Sequence, residues 1–342
     1  MHKLYFAVFL SFLLIFVSCK QEDKPIEPEV PTAPTSYSRL TGDTADVSTQ
    51  TSSGVCLMGG STDVDEAFKW MIKKSGGGDF VVIRTDVSFG YNAYIRGLGT
   101  VNSVETIIIA NKTEADYASN VKKIRNAEAL FIAGGDQAEY VDFWKNTKVE
   151  DAVNYLINVK HVPVGGTSAG CAILGSSYFS AIKGGLTSSE ALQNPYNSYV
   201  TLGHDDFINI PLLQNTITDQ HFSQRGREGR FVTFLARMKK DLNKNSRGIA
   251  VDEQTAVCVD ETGKAIVFGN NNAFFAQCNE LEPEICQLNT PLSWNREKKA
   301  VKVYRIPGLA SGNGSFDLND YTTCSGGVWF YWYAEKGTLF AE

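Results

Sequence analysis

Three glycine pairs set the strongest limit on what this chain can fold into. Gly59-Gly60 closes the apolar run Gly54-Val55-Cys56-Leu57-Met58, Gly134-Gly135 closes Ala129-Leu130-Phe131-Ile132-Ala133, and Gly165-Gly166 follows Val162-Pro163-Val164. Runs this short and this uniformly apolar fit strands buried on both faces. Between them lie stretches with helical spacing, over residues 63–74 (apolar at Ala67, Trp70 and Met71), 114–125, 139–145 and 149–159. Phe80-Val81-Val82-Ile83 and residues 104–110 supply two more strands. Such alternation predicts an α/β fold, a three-layer α/β/α sandwich with a mainly parallel central sheet. Function in such sheets collects beyond the carboxyl ends of the strands, so the three glycine pairs should be neighbours in space. Further on the pattern changes. Residues 184–211 read as long loops, 227–242 as a helix and Gly248-Ile249-Ala250-Val251-Asp252 as a strand. From Thr255 the chain is β-rich, over 256–259, 265–268, 300–305 and 328–333, which predicts β-rich C-terminal additions.

The N-terminus reads differently. Met1-His2-Lys3 is a short basic start, residues 4–17 are almost entirely apolar, and Ser18-Cys19 ends the run. That is the layout of an export signal, too short for a comfortable membrane span. A cysteine at the exit looks like a bacterial lipoprotein signal, with residues 1–18 removed and Cys19 lipidated. Pro25, Pro28, Pro31 and Pro34 mark residues 19–48 as a stiff, solvated tether, which leaves 49–342 as the folded domain. The expected location is the cell envelope, held to a bacterial membrane through the anchor alone. A formal net charge of −6 without a basic stripe excludes nucleic acid as a bulk partner. No C-x-x-C spacing occurs, so a zinc site is not expected. Cys56, Cys171 and Cys258 lie in apolar runs and read as buried thiols, whereas a disulfide is allowed among Cys278, Cys286 and Cys324.

Gly166-Thr167-Ser168-Ala169-Gly170 is a G-x-S-x-G pattern between a predicted strand and a small-residue segment able to start a helix. There a serine can sit on a strained turn with its hydroxyl exposed, and the following backbone N–H groups suit a developing negative charge. A serine nucleophile needs a base, and the chain has four histidines. His2 is in the signal. His161 starts the strand that ends at Ser168, and seven extended residues span roughly 23 Å, which puts it at the wrong end of the sheet. His204 lies in the polar Leu202-Gly203-His204-Asp205-Asp206. His221 follows the strand-like Asn215-Thr216-Ile217-Thr218 and precedes a helix, at another strand exit. Arg225, Arg227 and Arg230 close by could hold a substrate carboxylate or form a solvated helix face.

Four blocks then carry a family resemblance. Ile132-Ala133-Gly134-Gly135-Asp136-Gln137, Gly166-Thr167-Ser168-Ala169-Gly170, Asp219-Gln220-His221-Phe222-Ser223-Gln224-Arg225-Gly226-Arg227 and Gly248-Ile249-Ala250-Val251-Asp252-Glu253-Gln254-Thr255-Ala256 resemble the signature blocks of cyanophycinase and of the serine peptidases that include aspartyl dipeptidase E, in order, over residues 52–270. The resemblance implies a class I glutamine amidotransferase-like fold with serine in place of cysteine. It implies Ser168 as nucleophile, His221 as base and a carboxylate between them in sequence. Glu190, Asp205, Asp206 and Asp219 are the acids in that interval, and Glu190 fits the family position best. Ala169 N–H with that of Gly135, or Gly134, would form the oxyanion hole. Asp136, Gln137, Gln224 and Arg225 would line the substrate pocket. The implied activity is a serine-type exopeptidase or omega-peptidase. It would cleave peptide or isopeptide bonds at aspartyl residues through an acyl-enzyme, without metal or organic cofactor. Its substrates would be a β-Asp-Arg polymer or acidic and β-aspartyl peptides, with a homodimer left open as the assembly. An esterase and a non-catalytic surface-binding lipoprotein are the rival readings.

Overall fold

The computed structural model describes Met1 and residues 37–342. The signal, Cys19 and most of the tether therefore lie outside the described residues. The tether ends earlier than residue 48. Tyr37–Gly42 is already a strand, antiparallel to Ser103–Ile108 at the edge of a sheet. Asn92 Nδ2 fixes it by donating to Arg39 O at 2.8 Å.

Two mixed sheets replace the single, mainly parallel sheet expected. The first has ten strands. At its centre Ser103–Ile108, Asp79–Arg84, Ala129–Ile132, Pro163–Thr167 and Gly54–Met58 run parallel in that spatial order. Beyond Gly54–Met58 the neighbours Thr255–Asp260, Lys264–Gly269, Asn313–Asp317 and Cys324–Ser325 are all antiparallel. Connection length explains the change. The parallel strands are joined through helices, whereas the turn at Glu261-Thr262-Gly263 is too short for anything but an antiparallel return. The second sheet has eight strands. Its only parallel pairings among the described residues join Thr216–Asp219 to Arg247–Val251 and to Ser177–Phe179.

Side chains of the first sheet alternate between two cores. Cys56, Met58, Phe80, Val82 and Phe131 pack with Ala67, Phe68, Met71 and Ile95 of the helices Asp65–Lys74 and Gly90–Leu98. The second of those helices carries glycines and was not expected. Val55, Leu57, Val81, Ile83, Leu130 and Ile132 face the other way. They meet Ile124, Trp144 and Val153 of three helices, and Ile249, Val251 and Phe275 of the second sheet. The outer face of the second sheet is covered by Glu228–Leu242, which buries Phe231, Phe234 and Leu235. The parallel strands are thus sandwiched by helices, while the antiparallel half packs sheet on sheet. Residues 184–211 hold a short helix, Ser188–Gln193, and a three-residue strand, Leu202–His204, besides loops.

All six cysteines in the described region are free thiols. Cys56, Cys171 and Cys258 are buried, as are Cys278 and Cys286, and the disulfide allowed among Cys278, Cys286 and Cys324 is not formed. Burial pushes the Cys278 thiol well up and that of Cys286 to about 12.

Candidate active site

The strand Pro163–Thr167 delivers Ser168 into a sharp turn. Ser168 has φ 52° and ψ −118°, an uncommon and strained conformation for a residue with a side chain. Two hydrogen bonds hold it there: Ser168 N donates to Met58 O at 3.1 Å, and Ala172 N to Ser168 O at 3.0 Å. The turn can be this tight because Gly170 lies against the next strand; a Cβ on it would stand 2.2 Å from Ile132 O. Ala169 opens the short helical turn Ala169–Ala172, so its N–H is one of the amides without an intrahelical partner.

His221 arrives from the second sheet. The strand Thr216–Asp219 ends just before it, and His221 itself has φ 45°. Its N–H donates to Gly59 O at 2.7 Å, which ties this exit to the end of the strand Gly54–Met58. Ser168 Oγ and His221 Nε2 are 2.8 Å apart. Gly60 leaves room for the ring: a Cβ there would stand 2.4 Å from Nε2.

The carboxylate on the other side of the imidazole is Glu253. Its Oε1 lies 2.6 Å from His221 Nδ1. Glu253 follows Arg247–Val251, the strand parallel to Thr216–Asp219, and sits where the chain crosses from the second sheet to Thr255–Asp260 of the first. Its buried neighbour Asp252 accepts from Ser223 N at 2.8 Å and from Asn272 N at 3.1 Å, pinning the crossing to the segment after His221.

Glu190 is elsewhere. It is exposed, and its carboxylate accepts from Thr187 N at 2.9 Å while Glu190 N donates to Thr187 Oγ1, a capping box that opens Ser188–Gln193. A side chain committed to its own helix start cannot orient His221, so Glu253 replaces it. The hydrogen bonds from Thr187 hold the Glu190 carboxyl below its ordinary range. Asp219, another acid of that interval, is buried and forked to Arg230, with Nε to Oδ2 at 2.9 Å. Asp205 and Asp206 pair with Lys244 and Lys145.

Other anticipated residues divide. Gly134 borders the serine; a Cβ on it would stand 3.4 Å from Ser168 Cβ. At Gly135 an added Cβ would stand 2.4 Å from Tyr140 Oη. Asp136 caps Gln137–Trp144, accepting from Ala138 N at 2.9 Å. Gln224 holds the crossing, its Oε1 accepting from Glu253 N at 2.9 Å. Arg225 is exposed, whereas Arg230 is buried and half-buried Arg227 donates to Gln220 O at 2.6 Å. Only one of the three arginines is therefore free to meet solvent. None of Asp136, Gln137, Gln224 and Arg225 lines the cavity at Ser168.

That cavity, of about 220 Å³, is lined by Gly60, Ser61, Asp63, Arg84, Tyr91, Gly134, Thr167, Ser168 and His221. Asp63, Arg84 and Tyr91 had given no functional signal in the sequence. Their place follows from topology, since Arg84 ends the central parallel strand Asp79–Arg84 and Asp63 follows the exit of Gly54–Met58, where such sheets form clefts.

Burial lowers the proton affinity of His221 below the ordinary imidazole value; Glu253 opposes this, and the charges of Arg225 and Arg227 add to it. The imidazole is thus neutral near pH 7. With Nδ1–H directed at Glu253, its Nε2 lone pair faces the Ser168 hydroxyl.

A strained serine on a strand-to-helix turn, a neutral imidazole and an orienting carboxylate form the arrangement of a serine hydrolase. The sequence profile of peptidase family S51 matches residues 90–267, over half of the chain, and the protein belongs to that family. The match includes Ser168, His221 and Glu253. A cyanophycinase from a Nostoc species is 25% identical over 194 residues, which are 56% of this chain and 59% of that protein. One from Geminocystis herdmanii is 28% identical over 142 residues, 42% of this chain and 45% of that one. The chain thus spans at most about three-fifths of these relatives' lengths. A crystal structure of a peptidase from an acI-B1 Actinobacterium aligns with a TM-score of 0.46 at 17% identity, over 66% of this chain and 90% of that one.

Proposed function

We propose that the protein is a serine peptidase that cleaves amide bonds at aspartyl residues through an acyl-enzyme. The observation that carries this reading is the unbroken contact from Ser168 Oγ through both ring nitrogens of His221 to Glu253. In the first step Ser168 Oγ bonds to the substrate carbonyl carbon while His221 Nε2 takes its proton. The carbonyl oxygen becomes an oxyanion against the N–H of Ala169 and the backbone at Gly134. Each such donor is worth about 2.7–4 kcal/mol of transition-state stabilisation. Collapse breaks the C–N bond, and the imidazolium returns the proton to the leaving amine. Water then repeats the cycle to free the acid. Glu253 keeps the tautomer and balances the imidazolium.

Aspartyl peptides, β-aspartyl peptides and a β-Asp-Arg polymer are the candidate substrates, by likeness to the cyanophycinases. The experiment is labelling with a fluorophosphonate probe. Wild type should be labelled and Ser168→Ala should not; an inert wild type would overturn the reading. We further propose that Cys19 is lipidated and anchors the protein in the cell envelope, supported by the basic start and apolar run before it. Cys19→Ser should then move the protein from the membrane fraction to the soluble one, and unchanged fractionation would exclude the anchor.

A further inference from the structure

Two buried thiols face each other across the strands that lead into and out of the site. Gly54–Met58 and Thr255–Asp260 are antiparallel, and their register sets Cys56 opposite Cys258. At the end of that ladder Gly59 N donates to Thr255 O at 3.0 Å. Opposed pairs alternate from there. Leu57 and Val257 are therefore of the hydrogen-bonded kind, and Cys56 and Cys258 of the closer, non-hydrogen-bonded kind, with Cα atoms about 4.5 Å apart. A disulfide bridges Cα separations of roughly 4.4–6.8 Å, so this pair is within its reach. The two Sγ atoms are already 3.8 Å apart, with Cys258 donating to Cys56. Gly165 on the neighbouring strand leaves them room, since a Cβ there would stand 2.9 Å from Cys56 Cβ.

We infer that Cys56 and Cys258 are an oxidation site, closing to a cross-strand disulfide when the chain folds in the presence of an external disulfide. One cysteine, as thiolate, attacks the external disulfide and expels its first thiolate. The other cysteine then attacks the mixed disulfide and expels the second. Two cysteine thiols thereby lose two protons and two electrons, and one external disulfide becomes two thiols. The export proposed for this chain would take it where such bonds persist. Burial, and then contact with Cys258, holds the Cys56 thiol well above its ordinary range. Thiolate is therefore scarce once the core has closed, and exchange there is slow. Oxidation belongs to folding, before the strands pair, and the finished bond is shielded from reductants. It ties the strand whose end accepts from His221 N–H to the strand that begins just after Glu253. The two cysteines are 202 residues apart, so the closed loop takes in most of the domain and the bridge restricts the unfolded chain strongly.

The test refolds the full chain with a mixture of reduced and oxidised glutathione, and separately with excess reductant. Each sample is unfolded in the presence of an alkylating agent and digested without reduction. After oxidative refolding, mass spectrometry should find a linked pair of peptides containing Cys56 and Cys258. That sample should melt about 5 °C or more above the reduced one. A double variant, Cys56→Ala with Cys258→Val, should melt at one temperature after both refoldings. The linked peptides are read on wild type, so the result does not depend on the variant folding, and neither readout requires an active peptidase. Alkylated Cys56 and Cys258 in the oxidised sample, or a bridge from either to a different cysteine, overturns the site. A Cys56–Cys258 bond that leaves the melting temperature unchanged overturns its role as a clamp.

Discussion

The two sheets meet at the site with different kinds of information. In the first sheet the reactive group is set locally: the strand Pro163–Thr167, the turn at Ser168 and the start of the next helix are consecutive in the chain. In the second the site is set at long range. His221 is 53 residues from the serine it touches, and Glu253 another 32 residues on. The two carboxylates make the contrast plain. Glu190 is bonded three residues away, to Thr187, and never leaves its own helix. Glu253 is carried to His221 by the parallel pairing of Thr216–Asp219 with Arg247–Val251, whose exits must lie side by side. Orientation of the base is therefore a property of the second sheet, not of the loop after the nucleophile.

This contrast can be broken at several points. The largest effect is expected from Ser168→Ala, which should abolish covalent labelling. Gly60→Ala comes next. Its Cβ would press on His221 Nε2, and Gly60 has φ +97°, so the ring must move. Displacement by about 1 Å should cost roughly 10²-fold in labelling rate. A near-wild-type rate would mean that the imidazole does not depend on the end of the first sheet. Arg225→Ala should act more gently, through charge. Burial and then the neighbouring arginines depress the His221 pKa, so the wild-type rate should rise along an acid limb centred below pH ~6.5. Removing the Arg225 charge relaxes the depression, and that limb should move up in pH. A downward shift would contradict the assigned sign. The smallest effect is expected from Glu190→Gln, which weakens the capping box and should lower the melting temperature slightly at unchanged activity.

What the sequence disclosed follows the same division. The strand–turn–helix around Ser168 was legible because five consecutive residues determine it. The parallel centre of the first sheet was legible because apolar runs and helical spacing alternate there. His221 could be reached because histidines are few and His161 starts the strand that ends at the serine. Glu253 was missed because the search for an acid stopped at the interval between Ser168 and His221. The block Val251-Asp252-Glu253-Gln254 had nevertheless been singled out, and an acid at the exit of the strand after the base was the available clue. Two further features needed three dimensions. The second sheet depends on turns that reverse the chain after Thr255, and the cavity at Ser168 gathers residues from five separate segments. The tether boundary failed for a related reason, since Tyr37–Gly42 is a strand only because Ser103–Ile108 offers it an edge.

The most direct test is the second-order rate of fluorophosphonate labelling of Ser168 in Glu253→Gln and Glu190→Gln, measured side by side with wild type near pH 7. Glu253→Gln should react about 10³–10⁴-fold more slowly, because an amide can neither fix the tautomer nor balance an imidazolium, while Glu190→Gln should match wild type. A Glu253→Gln protein that labels at the wild-type rate while Glu190→Gln collapses would contradict the Ser168–His221–Glu253 assignment.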